Sequence, residues 1–306
     1  MIDAHHHLWD LSAVRYPWLE EKRVMRFFGD PTEIQKNYLM DDFRSDCQLH
    51  GFSGSVHIQV GAADPKKEAI WVDDIAKKYS DWSMRQVVFI DLTQTQMPKE
   101  LDFFQQLPSF IGVRQILSRA PGKESGSVLL DNIGSPIVLE NLKELARRGL
   151  TFDLQLIPEL MHKATLLLEK VPKLKVALCH AGSPHNRTAD GIYSWKQSLK
   201  SVSSLSNVTC KISGLGMFQH RWEKEDFSPL VETCLDQFGA QRCMFGSNFP
   251  VDSLYSDYSS LISAFKTLVP DSSHKTFFDS TARKFYKIKH NNTITYNHKL
   301  GHEYIL

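Results

Sequence analysis

The chain has 306 residues, 42% of them hydrophobic and 23% charged, and its 36 basic and 35 acidic side chains leave a formal net charge of +1. Barrels built from alternating strands and helices occupy about 250 residues or more as one unit, so the length allows a single domain. The balanced charge excludes an electrostatic footprint for nucleic acid or an anionic membrane surface, which leaves a small molecule as the expected partner.

Eight short apolar runs rich in β-branched residues read as strands, at 1–4, 55–60, 86–92, 111–117, 151–157, 175–179, 208–212 and 243–245. Stretches with helical periodicity alternate with them, at 32–50, 66–79, 97–107, 136–148, 158–171, 192–205, 227–238 and 255–268. Strands buried on both faces and linked by helical crossovers imply a parallel sheet, and eight repeats imply closure into a (β/α)8 TIM barrel. A doubly wound open sheet would bring a glycine-rich phosphate turn after an early strand, and none is present. A long irregular insertion at 11–29 follows the first strand, 272–286 reads as a closing helix, and 287–306 is a polar tail. The expected organisation is one domain over 1–306 with its core at about 1–286.

In such barrels the chemistry sits at the C-terminal ends of the strands. At the first strand, His5 and His7 are two residues apart and share a face, so two imidazoles converge on one point; the spacing suits a divalent metal or a polarised carbonyl. At the second, His57 and Gln59 share a face, as do Asp153 and Gln155 at the fifth. Each of these polar groups is open to two readings, a hydrogen bond within the barrel or contact with a ligand. Arg114 on the fourth strand can clamp a carboxylate or a lactone oxygen bidentately. His180 lies at the top of the sixth strand, just before a turn, where catalysis or metal ligation is expected. Lys211 and Ser213 share a face of the seventh, and Lys211 either binds substrate or pairs with a neighbouring carboxylate. The basic and aromatic residues of the insertion, Arg15, Tyr16, Trp18, Lys22, Arg23 and Arg26, stand where specificity would reside, and they favour an acidic substrate unless they form a solvated surface.

Five cysteines without paired spacing read as reduced, buried thiols of a cytoplasmic protein. No basic-then-apolar leader opens the chain, and no run approaches membrane-spanning length, so the expected location is the cytosol. Nothing fixes an oligomeric state.

The segments Ile2-Asp3-Ala4-His5-His6-His7-Leu8-Trp9-Asp10, Gly112-Val113-Arg114, His180-Ala181-Gly182, Lys211-Ile212-Ser213-Gly214-Leu215 and Phe245-Gly246-Ser247-Asn248-Phe249-Pro250 together resemble the amidohydrolase-2 group. Within it they look most like the lactonase-like branch, which includes sugar-acid and pyrone-dicarboxylate lactonases. The likeness runs from about residue 1 to about residue 286. It implies a distorted (β/α)8 barrel that hydrolyses a C–O bond of a lactone, with one divalent metal (zinc or manganese) or with none. Carried over, His5 and His7 match the metal- or carbonyl-binding pair, His180 matches the strand-six histidine, and Arg114 matches a substrate-binding arginine. A metal, if held, would sit among His5, His7 and His180.

The strand-eight position, usually an aspartate acting as general base, is Asn248. A neutral amide cannot take a proton usefully near pH 7, so the mechanism must change. No carboxylate or lysine ends strand four, and Gln155 stands where many relatives have histidine, so a binuclear site is not expected. Asp252 is read first as a cap of the following helix and second as a substitute base. The resulting expectation is a hydrolase opening the lactone of a sugar acid or other small carboxylated compound. His57, Gln59, Gln155 and Lys211 would bind substrate, and His180, Arg114 and Asn248 would serve the chemistry. The alternatives are amide hydrolysis or aromatic-acid decarboxylation on the same fold, or a non-catalytic ligand-binding barrel motivated by Asn248.

Overall fold

The computed structural model describes residues 1–119 and 128–289, so the expected tail lies outside the described residues beyond 289. Eight parallel strands form one sheet in sequence order: β1 Ile2–His6, β2 Gly54–Ile58, β3 Ser83–Phe89, β4 Phe110–Ile116, β5 Thr151–Gln155, β6 Lys175–Leu178, β7 Val208–Ile212 and β8 Cys243–Phe245. The helices that follow the strands are α1 Met40–Cys47, α2 Pro65–Lys78, α3 Met97–Phe104, α4 Pro136–Arg147, α5 Met161–Leu168, α6 Ala189–Ser203, α7 Lys224–Phe238 and α8 Tyr258–Leu268, with α9 Thr281–Tyr286 closing the fold. This is the TIM barrel that the apolar runs imply.

Local chemistry sets the limits of these elements. Asp64 and Ser135 cap α2 and α4, each followed by a proline whose missing N–H costs nothing in the first turn. The helix expected over 32–50 breaks in two, because Tyr38 exchanges backbone hydrogen bonds with Trp9 and is held extended. The helix restarts where Asp42 accepts the Leu39 N–H at 2.8 Å. Asp252 does not cap α8. It is buried in a one-turn segment, Asp252–Leu254, and Asp257 supplies the cap by accepting the Ser260 N–H at 2.7 Å.

Two apolar layers result. One lies between sheet and helices. The other fills the barrel, where Ile2, Ala4, Val56, Ile58, Val87 and Met244 pack with Phe285 and Tyr286 of α9. That inner layer also holds charge. Lys211 of β7 is paired with Asp153 of β5, both without exposure, and its ammonium donates to the Ala4 carbonyl at 3.0 Å. Tyr286 donates its hydroxyl to Asp153 at 2.8 Å.

The barrel is nearly closed rather than fully laddered, since β8 spans three residues and does not pair with β1 as a strand. Asp3 bridges this seam. Its Oδ1 accepts the N–H groups of His5 and Ser247, both at 3.0 Å, and its Oδ2 accepts the Tyr258 hydroxyl at 3.1 Å. Beyond it, Asn248 N–H donates to the His5 carbonyl at 2.7 Å and His7 N–H to the Phe249 carbonyl at 2.8 Å.

Removing one partner of a buried ion pair strands the other charge, at a cost of about 3–5 kcal/mol. Lys211→Met is expected to lose stability on that scale in chemical denaturation. The double variant Lys211→Met with Asp153→Leu should recover most of the loss, and equal losses in both would refute the coupling.

Candidate active site

A cavity of about 720 Å³ opens at the C-terminal mouth, lined among others by His7, Gln59, Arg114, Gln155, His180 and Asn248. The way β1 enters it depends on a bulge. Asp3 pairs with Ser55 and His6 with His57, so a step of three residues on β1 meets a step of two on β2. Strict alternation from Ile2 and Ala4, which face the barrel core, would send His6 inward. The extra residue turns His6 outward onto Phe43, with ring centroids 3.9 Å apart, and aims His5 and His7 inward.

His180 is placed by a different device. Residues 180 to 183 all have positive φ, from 50° to 68°, a left-handed run in which three of the four are not glycine. The run folds the chain sharply after β6, and the Ala181 carbonyl is held by the Trp195 indole at 2.8 Å. The His180 ring then lies 4.5 Å from that of His5, with Nδ1 3.0 Å from the Ser213 hydroxyl. Gly214 makes room for it, because a Cβ there would sit 2.5 Å from His180 Nδ1.

All three imidazoles are neutral at pH 7. Burial pushes His5 and His180 well below the ordinary value. Burial and then the Arg114 charge push His7 down to about 3. The Ile58 carbonyl can only accept, so His7 donates to it from Nδ1 at 2.7 Å and keeps a lone pair on Nε2. For His5 the order is reversed. The Lys211 ammonium lies 3.4 Å from Nδ1 and can only donate, which places the ring proton on Nε2, a buried atom without a partner.

Arg114 is buried and lines the cavity, donating from Nη1 to the Gln59 carbonyl at 2.7 Å and from Nη2 to Gln155 Oε1. Its Nε–H has no partner, and no carboxylate pairs with it among the described residues. Asn248, at φ +59°, points Oδ1 to within 3.3 Å of His7 Nε2 and donates from Nδ2 to Asp252 Oδ1 at 2.8 Å.

Two residues expected to bind substrate stand elsewhere. His57 faces outward, where its Nδ1 accepts the Leu8 N–H at 3.2 Å and its Nε2 lies 3.7 Å from Glu68. Lys211 is committed to Asp153 inside the barrel and, like His57, is absent from the cavity wall. Of the insertion residues singled out, Trp18 and Arg26 reach the cavity. Tyr16 is buried against Glu68, while Arg15 pairs with Glu20 and Lys22 bonds to Gln35 outside it. Sequence reasoning missed Phe27, Phe28 and Gln115 in the wall. Gln115 directly follows Arg114, and the paired phenylalanines in a polar insertion were the available signal.

The donor set does not fit a metal held by His5, His7 and His180. His5 presents an N–H rather than a lone pair, Arg114 and Lys211 both act on the rings, and strand eight supplies an amide in place of an anion. Among the described residues no group of three or more His, Cys, Asp or Glu is arranged to hold a cation.

Comparison with known proteins places this geometry in context. An amidohydrolase family profile matches residues 2–288. The uncharacterized protein y4mH of Sinorhizobium fredii is 34% identical over 294 residues, covering 94% of this chain and 98% of its own length. An L-fucono-1,5-lactonase of Burkholderia ambifaria is 23% identical over 300 residues, with 94% and 95% covered. Among solved structures, an amidohydrolase of Burkholderia multivorans with bound zinc superposes with a TM-score of 0.79 at 20% identity, over 94% of this chain and 99% of that one.

Displacing a reacting group by about 1 Å costs roughly 100-fold in rate. Gly214→Ala, which drives a methyl group against His180, is expected to lower kcat by roughly that factor in steady-state assays and to lower Tm as well, because a side chain at φ +63° is strained; wild-type kcat would refute the placement. The donor set also predicts that exhaustive chelation changes turnover by no more than about twofold. Loss of activity on chelation with recovery on adding zinc would overturn that reading.

Proposed function

The chain belongs to the amidohydrolase family, and on that footing we propose that it opens the lactone ring of a small carboxylated compound such as a sugar acid. The observation that carries this reading is Arg114, a guanidinium buried in the cavity wall with an unpartnered Nε–H and no carboxylate of its own. A buried cation is costly unless an anion meets it, and here the anion would come from the ligand. Resemblance to a relative named as a lactonase supports the same reaction class.

The residues present suit ester hydrolysis. The substrate carboxylate docks on Arg114, which also removes part of the positive field that depresses His7. A water seated beside His7 Nε2 and Asn248 Oδ1, which lie 3.3 Å apart, donates an O–H to the pair. Its oxygen adds to the lactone carbonyl as one proton passes to His7 Nε2. Collapse breaks the ring C–O bond, the departing oxygen takes the proton back from His7, and a hydroxy acid is released. His180 stands at the same floor, and Trp18, Phe27 and Phe28 supply an apolar wall for the rest of the ring.

A proton-release assay over acidic and neutral lactones tests the reading. Acidic lactones should turn over, and Arg114→Met should cost about 2–5 kcal/mol in kcat/KM, or roughly 30- to several-thousand-fold, on them alone. An equal loss on neutral lactones would remove Arg114 from substrate recognition. Carbon dioxide release from an aromatic acid, without lactone opening, would replace hydrolysis by decarboxylation.

A further inference from the structure

Asn248 stands between two groups with opposite demands. Its backbone is pinned to the seam by the bond to the His5 carbonyl, so the amide can change only by turning about its own axis. On one side is Asp252, whose Oδ1 receives Nδ2 at 2.8 Å; on the other is His7 Nε2, 3.3 Å from Oδ1. An ionised carboxylate can only accept, and it therefore claims the NH2 group and leaves the carbonyl facing His7. Since His7 Nε2 is itself a lone pair, two acceptors meet at 3.3 Å, a contact relieved by a donor they share, such as an O–H of a water seated beside the pair.

We propose that Asp252 is a positioning residue which, by holding the Asn248 NH2 group, keeps the Asn248 carbonyl turned toward His7 and so maintains the seat of the attacking water. This rests on the hydrolytic reading above. When Asp252 carries a proton the preference reverses. Its O–H donates to the Asn248 carbonyl oxygen, the amide turns, and the NH2 group donates to His7 Nε2 and fills the seat. Neither arrangement requires backbone movement.

The surroundings of Asp252 favour such a role over a purely structural one. It is buried and makes no ion pair among the described residues. Its polar partners are the Asn248 amide and the Gly216 backbone N–H, on the segment after β7. Trp222 Nε1 approaches the same glycine, and the Tyr255 hydroxyl, on the segment of Asp252 itself, is held up at about 12 and stays neutral. With no cation to fix its charge, burial pushes Asp252 up to about 7. The ionised form is the one that opens the seat, so activity should rise with pH through that value.

Two readouts test the proposal. In steady-state assays Asp252→Asn, which cannot ionise and pairs with either end of an amide, should lower kcat by roughly 100-fold with KM little changed, and should abolish the acidic limb of the pH–rate profile. In protein labelled with 15N at histidine, the His7 Nε2 resonance should shift with a midpoint near pH 7 in the wild type and stay flat in Asp252→Asn. A flat wild-type resonance, or an unchanged acidic limb in the variant, overturns the proposal. A wild type that hydrolyses no lactone while its His7 resonance still shifts would sink the hydrolytic reading and leave the positioning role standing.

Discussion

A single carboxylate joins the two ends of the sheet. Where other neighbouring strands share a ladder, β8 and β1 meet through Asp3, which takes N–H groups from both sides of the seam and a phenolic hydroxyl from α8. Hydrogen bonds to a charged acceptor are about twice as strong as neutral ones, which offsets part of the cost of burial. Burial still dominates and pushes Asp3 up to about 6. The seam is also the route by which the site is assembled, because Asn248 and His7 are fixed by backbone bonds that cross it just beyond Asp3.

The interior separates two cations by what compensates them. Lys211 has Asp153, the Ala4 carbonyl and the face of the Tyr286 ring, so its charge is satisfied within the fold. Arg114, in the cavity wall, has amide and carbonyl oxygens but no anion among the described residues. The first cation holds the barrel together, while the second remains available to a ligand. Between them the three imidazoles are kept neutral, with proton positions dictated by Ile58 for His7 and by Lys211 for His5.

Much of this was legible from the residues alone. Runs of β-branched residues separated by helical periodicity located the eight strands, polar residues interrupting their C-terminal ends pointed to Arg114 and His180, and the family resemblance pointed to Asn248; all three line the cavity. The likeness to amidohydrolases held over nearly the whole chain. The remainder depended on side-chain partners far apart in sequence. Nothing local tells Lys211 that Asp153 lies opposite, or His57 that Glu68 waits on α2. The β1 bulge is likewise a property of the pair of strands, so the shared face of His5 and His7 could be inferred while its direction could not. Asp252 looked like a cap because it precedes a helix, but the cap is Asp257, and burial gives the earlier aspartate a different environment.

The position of α9 carries a consequence for how the protein is made. Its Tyr286 supplies the hydroxyl that completes the bonding of Asp153, and its Phe285 fills the base of the barrel among residues from β1 and β2. Chains emerge from the ribosome N-terminus first. Every strand is therefore synthesised before the side chains that plug the barrel exist, and Asp153 and Lys211 must stay hydrated or incompletely bonded until residues near 286 arrive. A nascent chain can wind its βα units in order, but it cannot dry its own interior until that late segment docks.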